Sequence, residues 1–173
     1  LSMNLVTKAA IFNREKRPRD AIEILKDVVA SSKEIGFRRM TQMGLRQLGD
    51  AYFAIDEMEA AEAADLESLA MSEEMGMVME MAGMVATIAS IRTRMGKLEE
   101  AVELLASVLT DEWSQRALIY SEIYSDDSIE QMARGFLTEL SDQLDEPTFE
   151  AARARGAARS LEVTVKELLN GTV

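Results

Sequence analysis

The 173-residue chain has no cysteine, no histidine, only two prolines, and aromatic residues at 5%. Each scarcity removes a class of chemistry or structure. Without thiol or imidazole there is no disulfide, no Cys-His or Ser-His nucleophile arrangement, and no His/Cys zinc site. Few aromatics and no long Val/Ile/Thr runs leave little that favours a sheet. With Pro18 and Pro147 alone, almost nothing interrupts a helix. No apolar run approaches the ~20 residues of a membrane span. Lys8, Arg14, Glu15, Lys16 and Arg17 make the start of the chain unlike a signal peptide, so a cytoplasmic setting is expected. Positive charge is also short: 19 Lys and Arg face 31 Asp and Glu, a net charge of −12. Phosphate binding needs a basic field, so nucleic acid is not an expected partner.

What is present points to helix. Ala, Glu, Leu, Met and Arg dominate, and their side chains lose little rotamer freedom on a helix. The length suits one domain over residues 1–173. Sliding the chain by 40 residues sets Ala21–Gly36 on Ala61–Gly76, with five of sixteen positions identical: Ala21/Ala61, Ala30/Ala70, Ser32/Ser72, Glu34/Glu74 and Gly36/Gly76. A second shift of 40 reaches Ala101–Leu109 and matches Leu25 with Leu105 and Val28 with Val108. The connectors Glu15–Asp20, Ile55–Ala60 and Met95–Glu100 fall in register. This is the signature of stacked supersecondary units.

Each unit reads as two helices. Ala21, Ile24, Leu25, Val28 and Val29 form one apolar stripe of helical period, and Ala101, Leu104, Leu105, Val108 and Leu109 repeat it. Pro18 stands in a first helical turn, and Gly36 and Gly76 follow helices as C-caps. A hairpin cannot bury such a stripe alone, so the units must stack. The expected repeats are 1–36, 37–76 and 77–110. Within 111–145, Trp113, Leu118, Ile119, Ile123 and Tyr124 mark one helix and Asp127-Ser-Ile-Glu130 caps another, a degenerate fourth hairpin. Residues 146–173 form a helical cap, whose Leu161, Val165, Leu168 and Leu169 should face inward.

Leu45-x-x-Leu48-Gly49-x-x-Tyr52, followed by Ala61 and Ser68-Leu69, resembles a tetratricopeptide repeat. The first repeat matches with Leu5, Ala9 and Phe12, and the third with Val85, Ile88 and Ala89, where Arg92 replaces the tyrosine. The period of 40 exceeds that family's usual length. The longer helices, and the closing pattern Leu144–Gly156 then Ser160–Leu169, resemble the arrays of large bacterial regulators that join a STAND-type ATPase to an output domain. That resemblance implies an all-α, right-handed superhelical stack of antiparallel hairpins, an α-solenoid with a C-terminal cap. It also implies a non-catalytic scaffold or sensor, part of a longer regulator, that holds a protein or peptide. The alternative is a peptide- or small-ligand receptor that switches on binding, and self-association into a homo-oligomer is compatible with either.

In such stacks the first helices line the concave groove. Residues there that packing does not require are Asn13 and Arg14, then Met43, Arg46, Asp50 and Phe53, then Ser90, Thr93 and Arg94. Guanidinium groups suit carboxylates and extended peptides, and equally suit pairing with acids of neighbouring hairpins. The Lys/Asn clamp that some family members use for a C-terminal carboxylate is missing, and Asp50 would repel one. No catalytic residue, metal site or cofactor is implied. Met71, Met75, Met77, Met79, Met81 and Met84 read as core filling, since thioethers without His or Cys make a poor metal site. Asp65 replaces Leu25 and Leu105 in the stripe. The expectation is that the stripe rotates onto Leu66 and Leu69 and leaves Asp65 solvated. The pairs Glu73/Glu74, Glu99/Glu100 and Asp126/Asp127 are surface carboxylates, for which helix dipoles are explanation enough.

Overall fold

In a computed structural model of the chain, residues 2–110 and 129–172 are described. They form nine helices with no strand among them. They divide into two compact units, Leu1–Met75 and Gly76–Val173. The helix read around Trp113–Tyr124, and Asp127 and Ser128 of the capping box, lie outside the described residues.

The first unit holds α1 (Ser2–Arg14), α2 (Pro18–Glu34), α3 (Arg38–Ala54) and α4 (Met58–Glu74). Each packs on the next, and α1 also meets α3. Ala21, Leu25, Val28 and Val29 are buried and Ile24 is half-buried, so the α2 stripe faces the core. Ala9, Leu25, Leu48 and Ala51 share one cluster, with Phe12 and Tyr52 against it. A buried polar seam crosses α2, α3 and α4. Thr41 Oγ1 donates to Ser32 Oγ at 2.9 Å, and Gln42 Nε2 donates to Ser68 Oγ at 3.2 Å. These bonds satisfy groups that would otherwise be costly to bury.

The helices owe their spacing to one repeated turn. Three-residue connections occur at 15–17, 35–37, 55–57, 75–77 and 95–97, and α2 to α4 are each 17 residues long. The second residue of each connection has a left-handed backbone: Lys16 (φ 59°), Gly36 (72°), Asp56 (66°), Gly76 (66°) and Gly96 (78°). In four of them the third residue's amide reaches back to the carbonyl five residues earlier. These bonds run from Arg17 to Phe12 (2.8 Å), Phe37 to Ser32 (2.8 Å), Glu57 to Tyr52 (3.0 Å) and Lys97 to Arg92 (2.9 Å). This is the Schellman arrangement, which closes carbonyls left open at a helix end.

The second unit holds α5 (Val78–Arg94), α6 (Leu98–Thr110), α7 (Ile129–Ser141), α8 (Glu146–Ala157) and α9 (Leu161–Asn170). Every residue of α6 from Ala101 to Val108 is buried, so this helix is the core of the unit and not one striped wall of it. α5, α7, α8 and α9 all pack on it. Glu103, the acid within that run, receives Arg155 at 2.6 Å and Arg159 at 2.8 Å, and Arg159 also meets Glu167 at 3.3 Å. One carboxylate thereby ties α8 and the connection that leads into α9 to α6. Gly156 lets α8 approach closely, since a Cβ there would stand 2.8 Å from the Glu103 Cα. In α9, Leu161, Val165 and Leu168 are buried and Leu169 is half-buried. Thr164 is buried among them with its hydroxyl unpartnered, which the apolar reading of that helix missed. The methionines divide: Met84 is fully buried, Met77 and Met81 are half-buried, and Met79 is exposed.

The turn and the close approach make separate predictions for chemical denaturation. Gly96→Ala should cost about 1 kcal/mol, because the position is left-handed while the space around it is open. Lys16→Gly and Asp56→Gly should each gain several tenths to ~1 kcal/mol by the same argument reversed. Gly156→Ala should cost about 1–3 kcal/mol, because backbone and not a flexible side chain stands in the way.

Candidate partner-binding face

Met43, Arg46, Asp50 and Phe53 stand at i, i+3, i+7 and i+10 along α3, and so share one face of it. The α1 helix runs beside it and brings Asn13 alongside. Asn13 Nδ2 donates to the Gln47 carbonyl at 3.1 Å, and Gln47 Nε2 donates to Asp50 Oδ2 at 3.3 Å. Arg46 is exposed beside Asp50, one helical turn away. The first unit therefore brings Asn13, Arg46 and Asp50 into one polar group, with Gln47 joining it. Sequence spacing did not identify Gln47, because its role depends on the α1–α3 contact. Arg14 is exposed at the end of α1, and Phe53 is half-buried.

Met43 corrects the reading that none of these residues is needed for packing. Its side chain packs on the cluster of Val6, Val28 and Met40, drawn inward because it lies at the edge of the face. In the second unit, Ser90 Oγ donates to the Ala86 carbonyl at 3.1 Å and Thr93 Oγ1 to the Ala89 carbonyl at 2.9 Å. Both hydroxyls are thus oriented along their own helix, and Arg94 is exposed.

Asp65, expected to be solvated, is 0% exposed. The stripe has not rotated. α4 buries Met58, Ala61, Asp65, Ser68 and Ser72, the same register in which α2 buries Ala21, Leu25, Val28 and Ser32. Leu69 is also buried, and Leu66 is only half-buried. The carboxylate fits because α3 presents Gly49 at that level, where the first repeat has Ala9. A Cβ on Gly49 would overlap the Asp65 carboxylate.

Neither oxygen of Asp65 has a hydrogen-bond partner, and the Asn13 Oδ1 is buried without one too. Burial pushes the Asp65 pKa well above the ordinary carboxylate value, the Asp50 charge pushes it further, and Arg46 pulls it back. Asp50 is itself raised by burial and lowered by Arg46. One arginine thus serves two carboxylates, the half-buried Asp50 and the enclosed Asp65. Arg92, which unlike Arg46 is buried, stands where the repeat pattern has a tyrosine and pairs with Glu100 across the α5–α6 turn.

The group can bind by hydrogen bond and charge. Among the described residues, no cluster of three His, Cys, Asp or Glu side chains is placed to hold a metal ion. No helix among them is long and apolar enough to cross a membrane. Comparison with family models, with curated proteins and with solved structures returned no match.

Contact between Gly49 and Asp65 is open to a double-mutant cycle followed by urea unfolding. Gly49→Ala alone should cost about 1–3 kcal/mol, by overpacking against the carboxylate. In an Asp65→Ala background the same change should be close to neutral, a coupling of at least about 1 kcal/mol.

Proposed function

We propose that the chain is a non-catalytic scaffold, a tetratricopeptide-like superhelical array that holds a partner protein or peptide on the α1–α3 face. The observation that carries this reading is the division of labour on α3. Leu45, Leu48 and Ala51 are buried in the core, while Arg46 is exposed and Asp50 and Phe53 half-buried on another side. A charged pair beside an aromatic ring is the usual make-up of a binding hot spot. An extended peptide offers groups that match the reachable ones: amide donors for Asp50 and carbonyls for Arg46.

The non-catalytic part of the reading rests on chemistry. With neither histidine nor cysteine, a serine here has no imidazole to activate it and no thiolate can act. Asp65, the most perturbed acid, is enclosed and out of reach of a substrate. In keeping with the bacterial resemblance, such an array would serve as one module of a STAND-type regulator, the ATPase and output modules lying elsewhere.

The test is a titration against a partner co-purified from the native source. Arg46→Ala combined with Phe53→Ala should weaken binding by ~30-fold, the equivalent of about 2 kcal/mol, with little change in melting temperature. Glu23→Ala, an exposed change on α2, should bind as wild type. Equal affinity for the double variant and wild type would move the binding surface off the α1–α3 face.

A further inference from the structure

Asp65 stands forty residues from Leu25 and forty from Leu105. Both leucines are fully buried, and so is the aspartate between them in the repeat. A carboxyl group in that place has two states with very different requirements. As the acid it is small, nearly apolar in bulk, and lacks only a hydrogen bond. As the anion it needs water or a cation, because burying an unpaired charge is far more costly than burying a neutral polar group.

The surroundings offer the anion little. From α3, the helix packed on α4, the charges acting on Asp65 are Asp50, which repels it, and Arg46, which attracts it from the exposed face. On the α2 side Lys33 pairs with Glu67 of α4 at 2.5 Å. Gly49 gives the carboxyl a place to rest and makes no bond to either oxygen. The contact is therefore shaped for the acid and has no built partner for the ion.

We propose that Asp65 is a proton-operated latch between α3 and α4, closed as the neutral acid against Gly49 and released when it ionises toward Arg46 and water. The latch needs only the α3–α4 contact, and stands whether or not a partner binds the neighbouring face. Its direction follows from linkage. The folded state holds the Asp65 proton to a higher pH than the unfolded chain does, where the carboxyl has the ordinary value of 3.8. Stability from this group is complete below that value and is lost as pH rises through the folded pKa. Most carboxylates act in the opposite sense, so the signature is distinctive.

The experiment compares the full chain with Asp65→Leu and Asp65→Asn by urea unfolding from about pH 5 to about pH 8, with a carbon-detected NMR titration of the Asp65 carboxyl in wild type. The folding constant of wild type relative to Asp65→Leu should fall by up to about tenfold per pH unit within the titration window. Protection of the α3 and α4 amides, relative to their intrinsic exchange at each pH, should fall in that window for wild type alone. A carboxyl titrating in the ordinary aspartate range would overturn the latch. So would a wild-type to Asp65→Leu ratio that stays constant with pH. Should the leucine variant not fold, the wild-type carboxyl titration decides by itself.

Discussion

The backbone at five positions sets the lengths of the helices from α1 to α6. At Lys16, Gly36, Asp56, Gly76 and Gly96 the chain turns left-handed for a single residue, and it does so every twenty residues. A left-handed residue ends a helix and aims the next one back along it, because the following amide is drawn to a carbonyl near the helix end. Fixing that point at equal intervals fixes helix length. Equal helix lengths bring the same positions of successive helices to the same level. Within the first unit Ala21 and Ala61 are both fully buried for this reason, as are Leu25 and Asp65. Two of the five turns lack glycine, so Lys16 and Asp56 hold a conformation that L-residues resist, and the surrounding helices must enforce it.

Once levels are fixed, variation within them becomes meaningful. The small position on α1 and α3 is Ala9 and then Gly49, and the large position facing it on the next helix is Leu25 and then Asp65. Both sides shrink, and the larger of them becomes a carboxyl group, so the chemistry of the level changes. Replacing a buried ionisable group with a well-packed aliphatic one often stabilises a protein, so retaining an unpaired acid costs the first unit stability. The second unit handles its buried charges differently. Glu103 meets two arginines and Arg92 meets Glu100, so those ions are paired where Asp65 is not.

Much of this was legible in the sequence, and the failures have physical causes. The stripe from Ala21 to Val29 and its copy at Ala101–Leu109 were plain because aliphatic residues at helical spacing have one common explanation, burial. Gly36 and Gly76 announced their turns, and the connectors Glu15–Asp20 and Ile55–Ala60 placed two more, but nothing marked Lys16 and Asp56 as left-handed, so the twenty-residue module was seen only at twice its length. Asp65 was misplaced because a charge in a stripe is ordinarily a sign of rotation, and the missing side chain at Gly49 gave the contrary signal. The α1–α3 group was legible residue by residue in Asn13, Arg46 and Asp50. The link through Gln47 was not, since it depends on the α1–α3 contact, which spacing along one helix does not report. Arg155 and Arg159 carried no signal of their bond to Glu103, more than fifty residues earlier in the chain.

The most direct test of the turn register is a backbone assignment of the protein in solution, with chemical shifts and residual dipolar couplings at Lys16 and Asp56. Glycine at the other three turns is permissive and reports little, whereas a lysine and an aspartate take the left-handed region only when the fold demands it. The account predicts positive φ at both residues, flanked by unbroken helical shifts over 18–34, 38–54 and 58–74. Helical or extended shifts at residues 16 and 56 would contradict it, because the helices would then differ in length and Asp65 would no longer stand level with Leu25.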